Sequence, residues 1–411
     1  MRPVDNGPTG NKKCCYVMIK NEIIIFVPYL NAFGGVERLI LSLSRYLNNK
    51  GLAHSIVCFS RTIDLASYAA WPVKICELRP DRNVLSEAYS VTRYFWKLRE
   101  KTNAAPLFFD LKGALYAGLC RSLIYHLHLT DPPSVLISDI SKCAPSLRKR
   151  ALSFSNDESP GPIRKMRGEL VHRLNSRGVK RAASVMVMTD AIARELESLY
   201  SRQPKVVRPG VMGPPENMRI KRLGVGNINI LSVSRLEKTK RIDWILAAVA
   251  KLESCQPGIK MMCDWTLDIV GEGPQEAFLR DAAQQLGIDA KVRFHGGVTD
   301  REVEKIFGSA DLFVMPAIQG YGLPALEALA RGVPVILHRD SGVAEILHHS
   351  PWVEVIENAA DDLAAAMRRM IRNIVSGSLS KHPIPRFPSD TEWAEEIAIT
   401  CGWAAQTVRQ G

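Results

Sequence analysis

Residues 314–337 read VMPAIQGYGLPALEALARGVPVIL, and this order of apolar runs and glycines predicts a strand, a tight loop, a helix and a second strand. Pro324 suits the first turn of the helix, where its missing N–H is no loss, and Gly332 suits the helix end. The loop at 320–323 points free backbone N–H groups and a helix N-terminus at any ligand above the strand, which favours phosphate. An ordinary βαβ connection of a parallel sheet explains the spacing equally well.

The start of the chain repeats this organisation. The apolar run EIIIFVP at 22–28 is typical of a buried strand, residues 31–35 form a glycine loop, and residues 36–47 have the apolar period of a helix. Residues 54–59 form the next strand, and a second series of alternating strands and helices begins at 228–233. We therefore predict an α/β protein with two Rossmann-like doubly wound domains.

The domain boundaries follow from composition. At 411 residues the chain is too long for one core, and a stretch rich in proline, glycine and charge separates its halves. We predict a flexible N-terminal tail at 1–20, a first domain at 21–210, a linker at 211–226, a second domain at 227–390 and a C-terminal helix at 391–411. Within the first domain, strands are also expected at 123–127 and 134–137.

The cysteines and the apolar runs bear on location. Nine cysteines, an odd number with no C-x-x-C pair, favour a reduced compartment. No apolar run approaches the roughly 20 residues that span a bilayer, and the N-terminus lacks the pattern of a signal peptide. The expected location is the cytoplasm.

Charge is unevenly distributed along the chain. The net charge is +12, and residues 1–210 carry 32 Lys+Arg against 17 Asp+Glu. A basic first domain, densest at 142–181, indicates an anionic partner: lipid headgroups, a phosphorylated acceptor or nucleic acid. No nucleic-acid-binding module accompanies the basic residues, so an anionic acceptor or the cytosolic face of a membrane, bound peripherally, is the preferred interpretation. A merely solvated helix face is the alternative.

The segment at 314–337 resembles the donor-site signature of retaining GT-B glycosyltransferases of family 4, which reads E-x-F-G-x-x-x-x-E and continues to G-x-P-V. The resemblance covers about residues 22–405 and implies two domains that face each other across a cleft, with the last helix crossing back to the first domain. It implies that Glu327 binds the ribose hydroxyls of a nucleotide. Gly322 and Leu323 would offer backbone N–H groups to the phosphates or the sugar.

Gln319 stands where the family has its first Glu, which contacts the donor sugar and supports its cationic centre. An amide keeps the hydrogen bonds but adds no negative charge near an oxocarbenium ion. Three interpretations follow. The enzyme works without that charge because the departing diphosphate supplies most of the stabilisation, which we prefer; it uses a different donor sugar; or the protein binds nucleotide sugars with little turnover.

Two cations follow the first strand of the second domain, where open α/β sheets bind ligands. Arg235 and Lys240, five residues apart across a turn, can grip a diphosphate from two sides. Their segment is similar to the family's G-R-L-x-x-x-K-G, which implies that both cations bind and stabilise the leaving pyrophosphate. By the same resemblance Gly271, in a G-x-G, lies near the nucleotide, and main-chain groups at Val298 meet the nucleobase.

In the first domain, Gly34, Gly35 and Glu37 match the family's G-G-x-E loop, which approaches the leaving diphosphate and the acceptor. A second segment, at 125–133, closes a strand with His126, His128 and Asp131. Family members often have a catalytic-side His at such a strand end. Strand alternation puts both histidines on the same side, so the choice stays open, although His128, nearer the strand end, is preferred.

The resemblance implies a metal-independent hexosyltransferase that needs no cofactor and retains the configuration of its sugar. Its donor would be a nucleoside-diphosphate sugar, and its acceptor a glycan or lipid-linked saccharide in polysaccharide or glycoconjugate biosynthesis. No D-x-D motif, which metal-dependent GT-A enzymes use, occurs in the chain. Two alternatives are a GT-B sugar-nucleotide epimerase, for which we find no suitable carboxylates, and a nucleotide-sugar-binding protein, which Gln319 suggests. Nucleic acid is not an expected partner.

Overall fold

The computed structural model describes residues 22–136, 162–212, 227–253 and 264–405, except 32, 82, 99–101, 121, 319, 358 and 359. The described residues therefore leave out four parts of the sequence prediction: Gln319, the tail at 1–20, the last residues of the chain and most of the linker at 211–226. Residues 137–161, which hold much of the basic segment at 142–181, also lie outside the described residues.

The first domain is built on a seven-stranded parallel sheet in the order β5-β3-β1-β6-β7-β8-β9. Its core strands are almost continuously apolar because helices cover both faces of the sheet. The strands are β1 (Ile23–Phe26), β3 (His54–Cys58), β5 (Ile75–Glu77), β6 (Leu107–Phe109), β7 (His126–Leu129), β8 (Ser184–Val187) and β9 (Lys205–Val206), and a small separate sheet pairs β2 (Tyr29–Leu30) with β4 (Ser60–Arg61).

The helices of the first domain connect these strands. They are α1 (Gly35–Asn49), α2 (Val84–Leu98), α3 (Asp110–Leu119), α4 (Pro133–Leu136), α5 (Pro162–Arg181) and α6 (Asp190–Tyr200), with a short 3-10 helix at Leu65–Tyr68. The strand expected at 134–137 was wrong, since α4 occupies that position. Pro133 cannot donate to a strand ladder but suits the start of a helix. The strand expected at 123–127 begins later, at His126.

The second domain has a six-stranded parallel sheet in the order β12-β11-β10-β13-β14-β15. Its strands are β10 (Asn227–Val233), β11 (Asp264–Val270), β12 (Val292–Gly296), β13 (Leu312–Met315), β14 (Val335–His338) and β15 (Val353–Ile356). Its helices are α7 (Ile242–Glu253), α8 (Glu276–Gln285), α9 (Asp300–Ser309), α10 (Leu323–Ala330), α11 (Ala344–Leu347) and α12 (Ala360–Val375), with 3-10 turns at Lys238–Lys240, Asp289–Lys291 and Ser378–Lys381.

Both sheets reverse their strand order beside the first strand of the domain, β1 or β10. Open α/β sheets bind ligands at such switch points, beyond the carboxyl ends of the strands. The loops that follow β1 and β13 approach each other there: a Cβ placed on Gly35 would lie 3.9 Å from Leu323 Cδ1. The two switch points therefore border one interdomain cleft.

The last helix, α13 (Asp390–Thr400), packs on α1 of the first domain. Asp390 forms an ion pair with Arg45, and the Trp403 indole N–H donates to the Ala105 carbonyl at 3.1 Å. Ser389 and Glu392 form a capping box that starts the helix. The end of the chain thus crosses back from the second domain to the first.

Candidate functional site

The cation pair lies in the loop after β10. Arg235 is exposed and pairs with Glu237 at 2.8 Å. Burial lowers the pKa of Lys240, the charge of Arg235 lowers it further, and Glu237 and Asp131 act in the opposite direction. Two neighbouring cations that repel each other form a preorganised site for a polyanion such as a diphosphate.

Arg241 replaces a glycine of the family pattern, and its backbone explains why that position favours glycine. Its φ is 54°, in the left-handed region, which costs a residue with a side chain roughly 1–2 kcal/mol. The Arg241 guanidinium lies 4.2 Å from the Trp244 ring centroid and donates to the Pro316 carbonyl at 3.3 Å. These contacts offset the backbone cost and tie the cation loop to the end of β13.

The G-x-G loop after β11 packs closely against the backbone of the cation loop. Gly271 has a φ of 130°, and a Cβ there would lie 1.9 Å from the Ser234 carbonyl oxygen. A Cβ on Gly273 would lie 2.4 Å from the Leu236 carbonyl oxygen. Both glycines are therefore required by close backbone packing, which fixes the course of the chain on either side of Arg235.

Val298, the predicted nucleobase contact, follows the end of β12. The neighbouring Gly297 donates its backbone N–H to Glu272 Oε1 at 3.0 Å. Glu272 lies between Gly271 and Gly273, so the loop that carries Val298 is linked to the G-x-G loop.

Two helix N-termini face the cleft from opposite sides. Helix α10 begins after Gly322, whose φ of 119° requires glycine, and Leu323 is its first residue. Helix α1 begins after Gly34, which is extended and donates its N–H to Glu37 Oε2 at 3.1 Å. A Cβ on Gly34 or Gly35 would meet only ordinary contacts, so these glycines leave space in the cleft rather than permit a strained backbone.

Glu327 is the fifth residue of α10, beyond the first turn of the helix. Its carboxylate pairs with Arg38 Nη1 of the first domain at 2.5 Å. The Arg38 guanidinium also lies 5.7 Å from the Phe33 ring centroid. The predicted ribose-binding carboxylate is thus occupied by a cation from the opposite side of the cleft.

Asp110 was missed by sequence analysis. It is the first residue of α3, its φ is 60°, and its carboxylate accepts hydrogen bonds from the backbone N–H and the hydroxyl of Thr130. Burial raises its pKa to about 7, Asp131 and Glu37 raise it as well, and the Thr130 hydrogen bonds oppose the shift. A buried carboxyl with a perturbed pKa in a cleft is a functional-site candidate. The apolar run LFF at 107–109, followed directly by this Asp, was the sequence pattern that could have identified it.

Asp131 reaches the donor-side loop. A Cβ on Gly320 would lie 2.9 Å from Asp131 Oδ1 and 2.4 Å from the Thr130 carbonyl oxygen. The residue as a whole is exposed, yet its carboxylate lies among groups of both domains: burial raises its pKa, and Lys240 and Arg235 lower it. Asp131 therefore connects the first-domain carboxylates to the second-domain cations.

The two histidines of β7 lie beneath the last helix. His128 is fully buried, packs against Phe109 and Trp393, and neither ring nitrogen has a hydrogen-bond partner among the described residues. Burial lowers its pKa to about 3. His126 Nδ1 lies 2.7 Å from Ser184 Oγ. The structure does not bring His128 to the cleft, because alternation points both rings to the face that α13 covers.

Electrostatic interactions link two first-domain carboxylates to the cation pair of the second domain. Burial raises the pKa of Glu37, and the charge of Arg235 lowers it. Asp131 interacts with both Lys240 and Arg235. The described residues contain no group of three or more His, Cys, Asp or Glu side chains arranged to hold a metal ion. The site is a cation pair and two helix N-termini opposite a set of first-domain carboxylates.

Comparison with known proteins gives a matching family model and similar structures. Residues 215–381 match the family described as glycosyl transferases group 1. The match covers most of the second domain. The chain as a whole has the GT-B fold.

Solved structures resemble the whole chain. Anabaena HepE in complex with UDP-glucose is 17% identical, with a TM-score of 0.66 over 93% of this chain and 100% of that one. WaaG, a glycosyltransferase involved in lipopolysaccharide biosynthesis, is 16% identical, with a TM-score of 0.63 over 94% and 96% of the two chains. At these identities the likeness establishes the fold.

Curated relatives are similar in sequence. Glycogen synthase of Mycobacterium tuberculosis is 27% identical over 236 residues, 56% of this chain and 56% of that protein, so the match spans about half of the relative's length. D-inositol 3-phosphate glycosyltransferase of Nocardiopsis dassonvillei is 25% identical over 366 residues, 82% and 81% of the two chains.

Proposed function

We propose that this protein is a metal-independent retaining glycosyltransferase of family 4. It would move a hexosyl group from a nucleoside-diphosphate sugar to a hydroxyl acceptor. The observation that carries the proposal is that Asp131 of the first domain lies against Gly320 of the second, where the charges of Lys240 and Arg235 act on its carboxylate. This arrangement would put cations on the diphosphate side of a bound donor and a carboxylate on its sugar side. The complex of HepE with UDP-glucose is consistent with such a donor.

The second domain would stabilise the leaving group. When the bond between the anomeric carbon and the diphosphate oxygen breaks, negative charge develops on that oxygen. Arg235, Lys240 and the N-termini of α1 and α10 all present positive potential there, and preorganised charge of this kind is typically the largest contribution to catalysis. The departing phosphate oxygen takes the proton of the acceptor hydroxyl, and the new glycosidic bond forms on the same face of the sugar. No covalent sugar–enzyme intermediate is needed, in contrast to retaining hydrolases.

The first domain would supply the negative charge that Gln319 lacks. Asp131 Oδ1 approaches Gly320, the residue next to Gln319 in the chain, and Asp110 interacts with Asp131. Asp131 raises the pKa of Asp110 because two adjacent carboxyls do not both ionise easily. Lys240 and Arg235 favour the charged form of Asp131, so Asp131 would carry the negative charge. That charge would face the cationic sugar centre from the side opposite the diphosphate.

The acceptor would bind to the basic first domain, as a glycan or lipid-linked saccharide of a glycoconjugate pathway at the cytoplasmic membrane face. WaaB is a lipopolysaccharide outer core galactosyltransferase, and one relative is a phosphatidylinositol monomannoside mannosyltransferase. Both names are consistent with an anionic, lipid-linked acceptor. Among the described residues, no helix has the length and apolarity to span a bilayer.

The test is a donor screen. The protein is incubated with UDP-, GDP- and ADP-sugars, and released nucleoside diphosphate is measured for wild type, Glu327→Ala, Arg235→Ala and Gln319→Glu. We expect release from one donor, loss of release in the first two variants, and a change of less than about tenfold in Gln319→Glu. Binding to no donor would contradict the assignment of the site.

Gln319 supports a second candidate, a nucleotide-sugar-binding protein with little turnover. It predicts that one donor binds, that none is consumed with any acceptor, and that only Gln319→Glu produces turnover. The carboxylates Asp110 and Asp131, which this candidate leaves without a role, favour the enzyme.

A further inference from the structure

Two aromatic rings stack on each other at the first-domain edge of the cleft. Phe33 lies in the loop between β2 and α1, and Tyr68 is the last residue of the first domain's 3-10 helix. Their ring centroids are 4.0 Å apart, and the ring planes differ by 6°. Phe33 is two residues before Gly35, which approaches Leu323 of the second domain. The two stacked rings, here called the aromatic pair, therefore lie beside the cleft.

The Phe33 ring is covered on both faces. Tyr68 covers one face, and the Arg38 guanidinium lies over the ring, 5.7 Å from its centroid. A ring stacked at 4.0 Å leaves no room for a guanidinium on the same face, so Arg38 occupies the other. Arg38 also pairs with Glu327. A row of contacts thus runs from the predicted ribose-binding carboxylate to Tyr68, which is its outer end.

The outer face of Tyr68 is open. Tyr68 is 45% exposed, whereas Leu65, in the same short helix, is fully buried and fixes that helix to the core. Phe33 is the one ring that stacks on Tyr68 in the part of the chain that the structure describes. A tyrosine held in this way offers a large flat surface and loses little side-chain entropy when a ligand covers it.

The two loops that carry the aromatic pair are fixed to each other. The Thr62 hydroxyl donates to the Asn31 carbonyl at 2.7 Å. The backbone N–H groups of Thr62 and Ile63 both donate to the Leu30 carbonyl. A single exposed tyrosine on a surface is ordinary. A stacked tyrosine whose supporting loop is tied to the cleft loop is instead a preorganised surface for a ligand.

Hydrogen-bonding side chains lie beside this surface. Asp64 is the N-cap of the short helix that ends at Tyr68, and its side chain is 58% exposed. Arg61 Nη1 donates to Asp64 Oδ1 at 2.5 Å, and Ser67 is exposed. A carboxylate, a guanidinium and a hydroxyl supply both donors and acceptors for ligand hydroxyl groups.

A flat apolar surface flanked by such groups matches a pyranose ring. The axial C–H groups of a pyranose form an apolar face, and its equatorial hydroxyls point outward around that face. These C–H groups carry a small positive charge, which the negative face of an aromatic ring attracts. A nucleobase also stacks on tyrosine, but the base of the donor is expected at Val298, in the second domain.

We propose that the aromatic pair is a sugar subsite for the acceptor, with a pyranose ring stacked on the open face of Tyr68. The inference deepens the proposed function and rests on it for the donor and the transfer reaction. Phe33 and Arg38 stand between Tyr68 and Glu327, so the stacked ring is not the one that carries the reacting hydroxyl. The acceptor is then a saccharide of at least two rings, one at the reaction centre and one on Tyr68.

The test compares one ring with two. The probes are methyl glycosides of glucose, galactose and mannose, each paired with the methyl glycoside of a disaccharide of the same sugar. Binding to the full chain is titrated by saturation-transfer NMR, with UDP, GDP and ADP present in turn. The variants are Tyr68→Ala and Tyr68→Phe, and the matched control is Tyr89→Ala, which changes an exposed tyrosine of α2.

We expect at least one disaccharide to bind wild type about tenfold more tightly than its monosaccharide, because the second ring gains stacking and dispersion contacts. Saturation should transfer to the C–H protons on one face of that ring. Tyr68→Ala should lose the preference for the disaccharide. Tyr68→Phe, which keeps the ring, and the control Tyr89→Ala should both retain it.

Equal binding of the two saccharides of every pair to wild type overturns the inference. So does a preference for a disaccharide that survives in Tyr68→Ala. Donor binding by wild type is measured by calorimetry on the same preparation, with the sugar nucleotides of the donor screen. A protein that binds a donor but shows no preference for a disaccharide contradicts only this inference, whereas a protein that binds no donor contradicts the proposed function.

Discussion

The two domains share one scaffold but build their sides of the cleft differently. In the second domain the groups come from short contiguous segments at strand ends, such as Arg235 to Lys240 and Gly271 to Gly273. In the first domain Glu37, Asp110 and Asp131 lie in segments that follow three separate strands, and they come together only after folding. Local sequence therefore predicts the residues on the donor side of the cleft well and those on the opposite side poorly. The predictions below test whether the two sides also divide the chemistry.

The largest effect is expected for the donor side. Lys240→Ala should lower the rate of transfer by about 10²–10³-fold, because a charge preorganised at the leaving group is lost. Lys238→Ala, an exposed lysine of the same short turn, is the matched control and should stay within about twofold. Initial rates at saturating donor measure both. Equal losses in the two variants would show that general charge, not position, matters.

The second-largest effect is expected for the carboxylates of the first domain. The double variant Asp110→Asn and Asp131→Asn should lower turnover by about 10²-fold, while Asn tolerates the left-handed backbone at position 110. Adding Gln319→Glu to that double variant should recover part of the loss, since it restores a negative charge near the sugar. Steady-state kinetics of the three proteins test this compensation. No recovery would mean that the pair serves only to bind substrate.

A smaller effect, on donor binding, is expected at the ion pair of Arg38 and Glu327, where the two sides of the cleft are in contact. Arg38 must leave Glu327 before a ribose can bind there, so Arg38→Gln should strengthen donor binding by about threefold to fivefold, the worth of a partly exposed ion pair. Glu327→Gln should weaken it by at least tenfold. Calorimetric titration with the donor or its nucleoside diphosphate measures both. Weaker binding in Arg38→Gln would instead identify Arg38 as a donor contact.

The smallest effect on activity is expected at His128. His128→Phe should keep turnover within about twofold, because the ring is buried beneath α13. Its depressed pKa makes a second prediction. Below pH 6.5 the His128 ring binds a proton in the unfolded chain, but in the folded chain it stays neutral down to about pH 3. Wild type therefore loses stability as the pH falls through this range. Thermal melting at pH 7 and pH 5 should show a smaller loss for the variant. A large loss of activity would return His128 to the catalytic role that its strand-end position suggested.

The comparison of strand ends also explains which expectations failed. Alternation correctly put His126 and His128 on one side of β7 but did not reveal that α13 covers that side. Asp110 was overlooked because a single Asp after an apolar strand has no repeat or partner nearby in sequence. Its importance depends on Thr130 and Asp131, some twenty residues later. The strand expected at 134–137 failed for a local reason, the helix-starting preference of Pro133.

Apolar periodicity, glycines and prolines alone established two doubly wound α/β units, and the residues after β10, β11 and β13 indicated a phosphate-binding side. These inferences succeed because strand burial, helix ends and close backbone packing depend on neighbours within a few residues. Tertiary structure decided the pairing of Arg38 with Glu327, the approach of three carboxylates to the cations, and the burial of His128 against Trp393. Each of these depends on contacts between segments far apart in the chain, whose distances arise only when both sheets and the last helix have packed.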